Sequence, residues 1–192
     1  GADDPARMLI IVHHLVIDVV SWRILLEDLH SSINMAMRGS RIDLGPKTTA
    51  YTQWSEAINN PEVYLQDLAY WQQFPIDVPV NIPHSESVAN EQGTAKTLER
   101  YLNVTSTELL LKESGRAFRT EINDLLLTAL LKTLVPWIGH DRVVVDLEGH
   151  GREELIESID VSRTLGWFTS IYPVCLEQPS SPDLAVTIKA VK

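Results

Sequence analysis

Apolar positions along the chain follow two different periods, and segments of each kind alternate. Residues 8–14 (MLIIVHH) form a continuous apolar run ending in two histidines, the pattern of a strand covered on both faces. Residues 18–37 carry Trp22, Leu25, Leu26, Leu29, Ile33 and Met37 at helical spacing, and Gly39 stands where such a helix would stop. A short helix is predicted over 48–58, capped by Thr48 or Thr49. Asn60-Pro61 supplies a cap and a first-turn proline for another helix, which carries Tyr64, Leu65, Leu68 and Trp71 and ends before Pro75. Residues 75–95 hold Pro75, Pro79, Pro83 and Gly93 and read as a linker or long crossing loop. Beyond it, 97–104 alternates like a strand, 106–118 and 122–138 are helical, and 142–148 (RVVVDLE) is a strand. Residues 164–176 contain a further strand, and Ser181-Pro182 opens a last helix. With strands and helices alternating and no repeat period, the fold class is mixed α/β.

Charge and composition narrow the function classes. The chain has 192 residues, with 26 acidic and 16 basic side chains and a formal charge of −10. No basic stripe exists to neutralise phosphates, which argues against nucleic acid. The single cysteine, Cys175, excludes an internal disulfide framework and a cysteine-rich zinc site. The apolar runs are too short to span a membrane, and no charged-then-apolar leader opens the sequence. A cytoplasmic setting is therefore expected. The length fits one ordinary domain or part of a larger one. The chain opens on Gly1, and its last residues read as a helix stopping in midcourse, so an excerpt from a longer protein is expected.

Two constellations bear candidate chemistry. In HHLVIDVVSW, adjacent strand residues point to opposite faces, so His13 and His14 cannot chelate one metal together. A histidine ending a buried strand is placed for proton transfer near neutral pH. Asp18 stands where the chain turns into the helix, able to cap it or to pair with an arginine. In DLEGHGREE, Val144, Asp146 and Glu148 share one strand face, and Glu148 is the last strand residue before a turn flanked by Gly149 and Gly151. A carboxyl group there, partly withdrawn from water, would suit proton donation. The glycines lack the spacing of a phosphate-binding loop. On spacing alone the simpler readings are two satisfied histidines and a solvated hairpin with surface carboxylates. His30, His84 and His140 have no partners at ligand spacing, and Trp54 and Trp71 read as packing residues.

Taken together, these segments resemble the epimerization domains of nonribosomal peptide synthetases, relatives of the condensation domains. HHLVIDVVSWRILLEDL is similar to the shared HHxxxDG motif in its epimerization form. KTTAYTQW, INDLLLTAL, DLEGHGRE and RTLGWFTSIYPV resemble further epimerization segments, in the family's order. HHxxxD is shared with condensation domains and other acyltransferases, whereas EGHGRE followed by GWFTSIYPV is specific to the epimerization form.

The resemblance implies part of a two-lobed fold like that of chloramphenicol acetyltransferase, with a tunnel between the lobes. Residues 1–74 would be the latter part of the N-terminal lobe, 75–96 the interlobe linker, and 97–192 the first part of the C-terminal lobe. It also implies inversion of the α-carbon of an aminoacyl or peptidyl thioester held on the phosphopantetheine arm of a carrier protein, with no cofactor or metal of the domain's own. Inversion removes a proton from one face and returns one to the other, and His14 and Glu148 are the implied pair, on opposite walls. His13, Asp18, Gly149, Gly151 and Arg152 would support them, with Arg152 pairing a carboxylate that the sequence leaves open. The motifs do not name the group that stabilises the enolate oxygen. Expected partners are the carrier and neighbouring synthetase domains. The alternatives are a condensation domain forming a peptide bond and a noncatalytic carrier-docking fragment.

Three departures from the family pattern matter. Val19 replaces the motif glycine, so a narrowed tunnel or a shifted turn is expected. The family's late asparagine-tyrosine motif and its opening strands and helix fall outside these 192 residues, so the isolated chain is expected to be poorly active or inactive.

Overall fold

A computed structural model describes residues 7–75, 77–78 and 91–192. Its described residues form helices α1 (Val19–Met37), α2 (Tyr51–Ile58), α3 (Leu68–Gln73), α4 (Val104–Lys112), α5 (Ile122–Ile138) and α6 (Leu184–Val191), and strands β1 (Arg142–Gly149) and β2 (Ser170–Glu177). The chain packs as two compact units, one of Gly1–Gln73 with Leu147–Tyr172 and one of Phe74–Asp146 with Pro173–Lys192. The EGHGRE segment thus packs in the same unit as the HHxxxD segment. The expected 75–96 linker lies largely outside the described residues.

In the first unit, α1 starts where the sequence places it. Asp18 has an extended backbone and its carboxylate accepts the Ser21 N–H, satisfying a donor that the helix leaves open. At the other end Gly39 takes a φ of 69°, which glycine reaches without steric cost. α2 begins at Tyr51 behind Ala50 and not behind a threonine cap. Thr48 and Thr49 are engaged elsewhere: Thr49 exchanges backbone and hydroxyl bonds with Asp160, and the Thr164 hydroxyl donates to the Thr49 carbonyl at 2.6 Å. The helix expected from Asn60-Pro61 is split into a 3-10 turn, Pro61–Tyr64, and the short α3. Leu65 and Leu68 are exposed there, so no buried face favours one continuous helix.

The strand expected at 8–14 does not form. Residues 7–13 carry no ladder, and His14–Val16 is a 3-10 turn. Leu9 and Ile11 are each 84 % exposed, so the run has an apolar sequence but no strand or layer among the described residues to cover it. The same holds in the second unit for 97–103, which is extended and exposed up to Asn103, the cap of α4.

The second unit is built on α5, whose apolar stripe was legible as a helix with the same bounds. Leu131 is fully buried and forms a core with Val143 and Leu176, flanked by Leu127, Leu134 and Val174. Burying one such leucine contributes about 1.5–3 kcal/mol. β1 and β2 form a two-stranded sheet. Val143 and Val145 face the core while Asp146 and Glu148 are exposed, the alternation expected of a half-covered strand. α6 packs on α5, capped by Asp183.

Candidate active site

The candidate residues His13, His14, Asp18, Glu148, Gly149, Gly151 and Arg152 all lie in the first unit. The His14–Val16 turn is closed by His13, whose Nδ1 accepts the Leu15 N–H at 3.1 Å. His13 thus supports the turn. His14 Nδ1 lies 2.9 Å from the Ile17 carbonyl oxygen. A carbonyl only accepts, so Nδ1 carries the proton and Nε2 of the neutral ring keeps a free lone pair. The His14 ring stacks on Trp167, with centroids 5.4 Å apart and planes at 24°. Tautomer and orientation are both fixed, which suits a proton acceptor.

Asp18 is the centre of a buried network. It is 2 % exposed and accepts from the backbone N–H of Ser21 and of Phe168, at 2.6 and 3.1 Å. Arg152 Nη2 reaches both its carboxylate oxygens, at 3.2 and 3.3 Å, and the Ser21 hydroxyl at 2.9 Å. Arg152 Nη1 donates to the carbonyls of Val161 and Thr164 at 2.7 and 2.8 Å, and the guanidinium lies 4.0 Å from the centre of the Phe168 ring. Burial pushes the Asp18 carboxyl up, but the Ser21 and Phe168 hydrogen bonds and the Arg152 charge outweigh it and hold it below the usual carboxylate range. Asp18 therefore caps the helix and pairs with Arg152; the carboxylate that the sequence left open for Arg152 is this one. Phe168 in turn packs against Trp54 and Tyr51 of α2, with centroids 4.6 and 5.1 Å away, so Trp54 is a packing residue.

Of the motif's two glycines, Gly151 is sterically required and Gly149 is tightly packed. Gly151 has a φ of 65°, and a Cβ there would overlap the Phe168 carbonyl oxygen. A Cβ on Gly149 would sit 3.0 Å from the Ser170 hydroxyl.

A cavity of about 230 Å³ is lined by the start of α1 (Asp18, Val19, Val20), by Glu148, Gly149 and His150 at the end of β1, and by Thr169. Glu148 is exposed on its wall; His14 is not among the lining residues. Val19 is 73 % exposed and is the first residue of α1, with no left-handed φ. The turn therefore accommodates valine in an ordinary helix start, and its isopropyl group faces the cavity. Sequence reasoning missed Trp167, the stacking partner of His14, and His150 on the cavity wall; both lie inside segments already singled out. Among the described residues, no group of three His, Cys, Asp or Glu side chains could hold a metal ion, and no helix is long and apolar enough to cross a membrane.

A family profile described as "Condensation domain" matches residues 2–192. The chain belongs to the condensation domain family. This condensation-family chain is 42 % identical over 187 residues to gramicidin S synthase 1 of Brevibacillus brevis, covering 94 % of this chain and 17 % of that protein. It is 40 % identical over 190 residues to bacitracin synthase 2 of Bacillus licheniformis, covering 97 % of this chain and 7 % of that protein. Among solved structures, the epimerization domain from the third module of tyrocidine synthetase B is 39 % identical with a TM-score of 0.79, over 94 % of this chain and 41 % of that domain. The first condensation domain of the calcium-dependent antibiotic synthetase superposes with a TM-score of 0.67 at 20 % identity, a likeness of fold alone, over 94 % of this chain and 41 % of that domain. The chain thus spans less than half the length of each of these relatives. Its mixed helix-and-strand fold is of the condensation type.

Proposed function

We propose that this chain contributes the acid–base residues of an epimerization domain, inverting the α-carbon of an aminoacyl or peptidyl thioester presented by a carrier protein. The observation that carries the reading is Glu148, a carboxylate on the wall of the cavity at the start of α1. The 39 % identity to an epimerization domain supports it. His14 Nε2 takes the α-proton, and Glu148 returns one to the opposite face; reversal of direction exchanges the roles. The thioester is suited to this because its enolate forms more readily than an amide's. The phosphopantetheine arm belongs to the carrier, and the domain needs no cofactor of its own.

The second reading is a condensation domain, favoured by the description of the matching family. It would join two carrier-bound acyl groups through the second motif histidine without needing Glu148.

The test loads a carrier protein with an α-deuterated aminoacyl group and adds the polypeptide that carries this sequence. The epimerization reading expects loss of deuterium to water and a mixture of enantiomers after thioester hydrolysis. Amide product from two loaded carriers, with the deuterium retained, would establish condensation instead.

A further inference from the structure

Removing an α-proton next to a thioester places negative charge on the carbonyl oxygen. A hydrogen-bond donor held at that oxygen accelerates such a step by about 100–1,000-fold. His14 and Glu148 are both occupied with the proton itself, so a third group must serve the oxygen.

His150 has the required properties. It lines the same cavity as Glu148, two residues further along the chain. Its Nδ1 accepts the backbone N–H of Arg152 at 3.0 Å. A neutral imidazole that accepts at Nδ1 carries its proton on Nε2, so the nitrogen left free is a donor. This is the opposite tautomer to that of His14, whose Nδ1 donates to Ile17. One ring is prepared to receive a proton and the other to offer a hydrogen bond. Glu153 Oε1 lies 3.7 Å from the same Nδ1, too far for a hydrogen bond, and leaves the assignment unchanged. The side chain is 61 % exposed, so a substrate can reach it.

The group that donates to its Nδ1 is anchored in the network around Asp18. Gly151 is held at positive φ against the Phe168 carbonyl, and Arg152, which supplies the N–H, is anchored by Asp18 and two backbone carbonyls. The buried ion pair thereby holds the residue whose N–H the ring accepts.

We propose that His150 is a catalytic residue whose Nε2–H hydrogen-bonds the thioester oxygen while the α-proton is away; this rests on the epimerization reading. As the α C–H bond breaks, its electron pair forms the carbon–carbon double bond of the enolate, and the carbonyl π pair moves onto oxygen, where Nε2–H meets it. Return of a proton to the opposite face of the α-carbon restores the carbonyl. No oxidant, reductant or co-reactant enters.

The two amide analogues of histidine separate the ring's two nitrogens. In H150N the side-chain oxygen can still accept the Arg152 N–H, but the cavity donor is gone. In H150Q an amide N–H extends to where Nε2–H stood. The polypeptide carrying this sequence is given carrier protein loaded with α-deuterated alanine, leucine or phenylalanine, and deuterium loss is followed. H150N is expected to lower kcat for exchange by about 100–1,000-fold with little change in KM, and H150Q to recover at least about tenfold of that loss. H150N exchange within about threefold of the parent, or H150N and H150Q equally impaired, overturns the assignment while leaving epimerization intact. Absence of exchange by the parent polypeptide with all three substrates overturns the epimerization reading, and His150's role with it.

Discussion

Replacing Asp18 with asparagine removes one charge and almost no volume, and the network around it sets the expected cost. In the parent, the two carboxylate oxygens accept from Ser21 N–H, Phe168 N–H and Arg152 Nη2. Asparagine keeps one oxygen. Turned towards Ser21 it preserves the cap of α1, since asparagine caps as well as aspartate. The amide NH2 then faces the Phe168 N–H, donor against donor. Arg152, only 6 % exposed at its side chain, is left with two carbonyls, a hydroxyl and an aromatic face but no counter-charge. Breaking a buried pair from one side costs about 3–5 kcal/mol, most of it the penalty of the stranded charge. D18N should therefore lower the unfolding free energy by about that amount, read from urea denaturation followed by tryptophan fluorescence. Combining D18N with Arg152→Met should cost about 1–3 kcal/mol less than the sum of the two single changes. A D18N protein within about 0.5 kcal/mol of the parent, or strictly additive changes, would refute the account of this network.

Three further outcomes are expected. Because folding lowers the Asp18 pKa, its contribution to stability is complete above the ordinary carboxylate value of about 3.9 and is lost as pH falls from there through the lowered value; an acid titration of stability should be shallower in D18N than in the parent over that window. Gly151→Ala puts a methyl group into the Phe168 carbonyl at a left-handed φ, and should lower stability by more than about 2 kcal/mol and depress exchange, measured by thermal melting and deuterium loss on the same sample. Leu131→Ala in the second unit should cost about 2–5 kcal/mol in a denaturation curve through the cavity it leaves.

The segments that the sequence made legible are those whose signals are local. α1 has its cap at Asp18 and its glycine stop at Gly39, and α5 has a long apolar stripe closed by Gly139, so both helices could be drawn from spacing alone. The runs at 8–14 and 97–103 form no strand, for one reason. Apolar or alternating character records that a segment suits being covered, and a strand also needs a neighbour to bond with. The threonines before α2 illustrate a different competition, in which a cap residue is taken by a loop more than a hundred positions away. The Asp18–Arg152 pair lies at the same kind of distance. One sequence marks Arg152 as a cation in need of a carboxylate but cannot choose among 26 acidic residues. The orientation of His14 by Trp167 and of His150 by the Arg152 amide is likewise a product of packing, invisible in the motifs that contain them.

The central claim is that Glu148 moves a proton at the α-carbon, and Glu148→Gln tests it most directly. The change keeps the shape of the side chain and removes its acid–base capacity. In the polypeptide that carries this sequence, E148Q should lower inversion of the α-carbon, read as the opposite enantiomer released by thioester hydrolysis, by at least about 100-fold while carrier binding is retained. Inversion at the parent rate in E148Q, or undiminished amide formation between two loaded carriers, would contradict it.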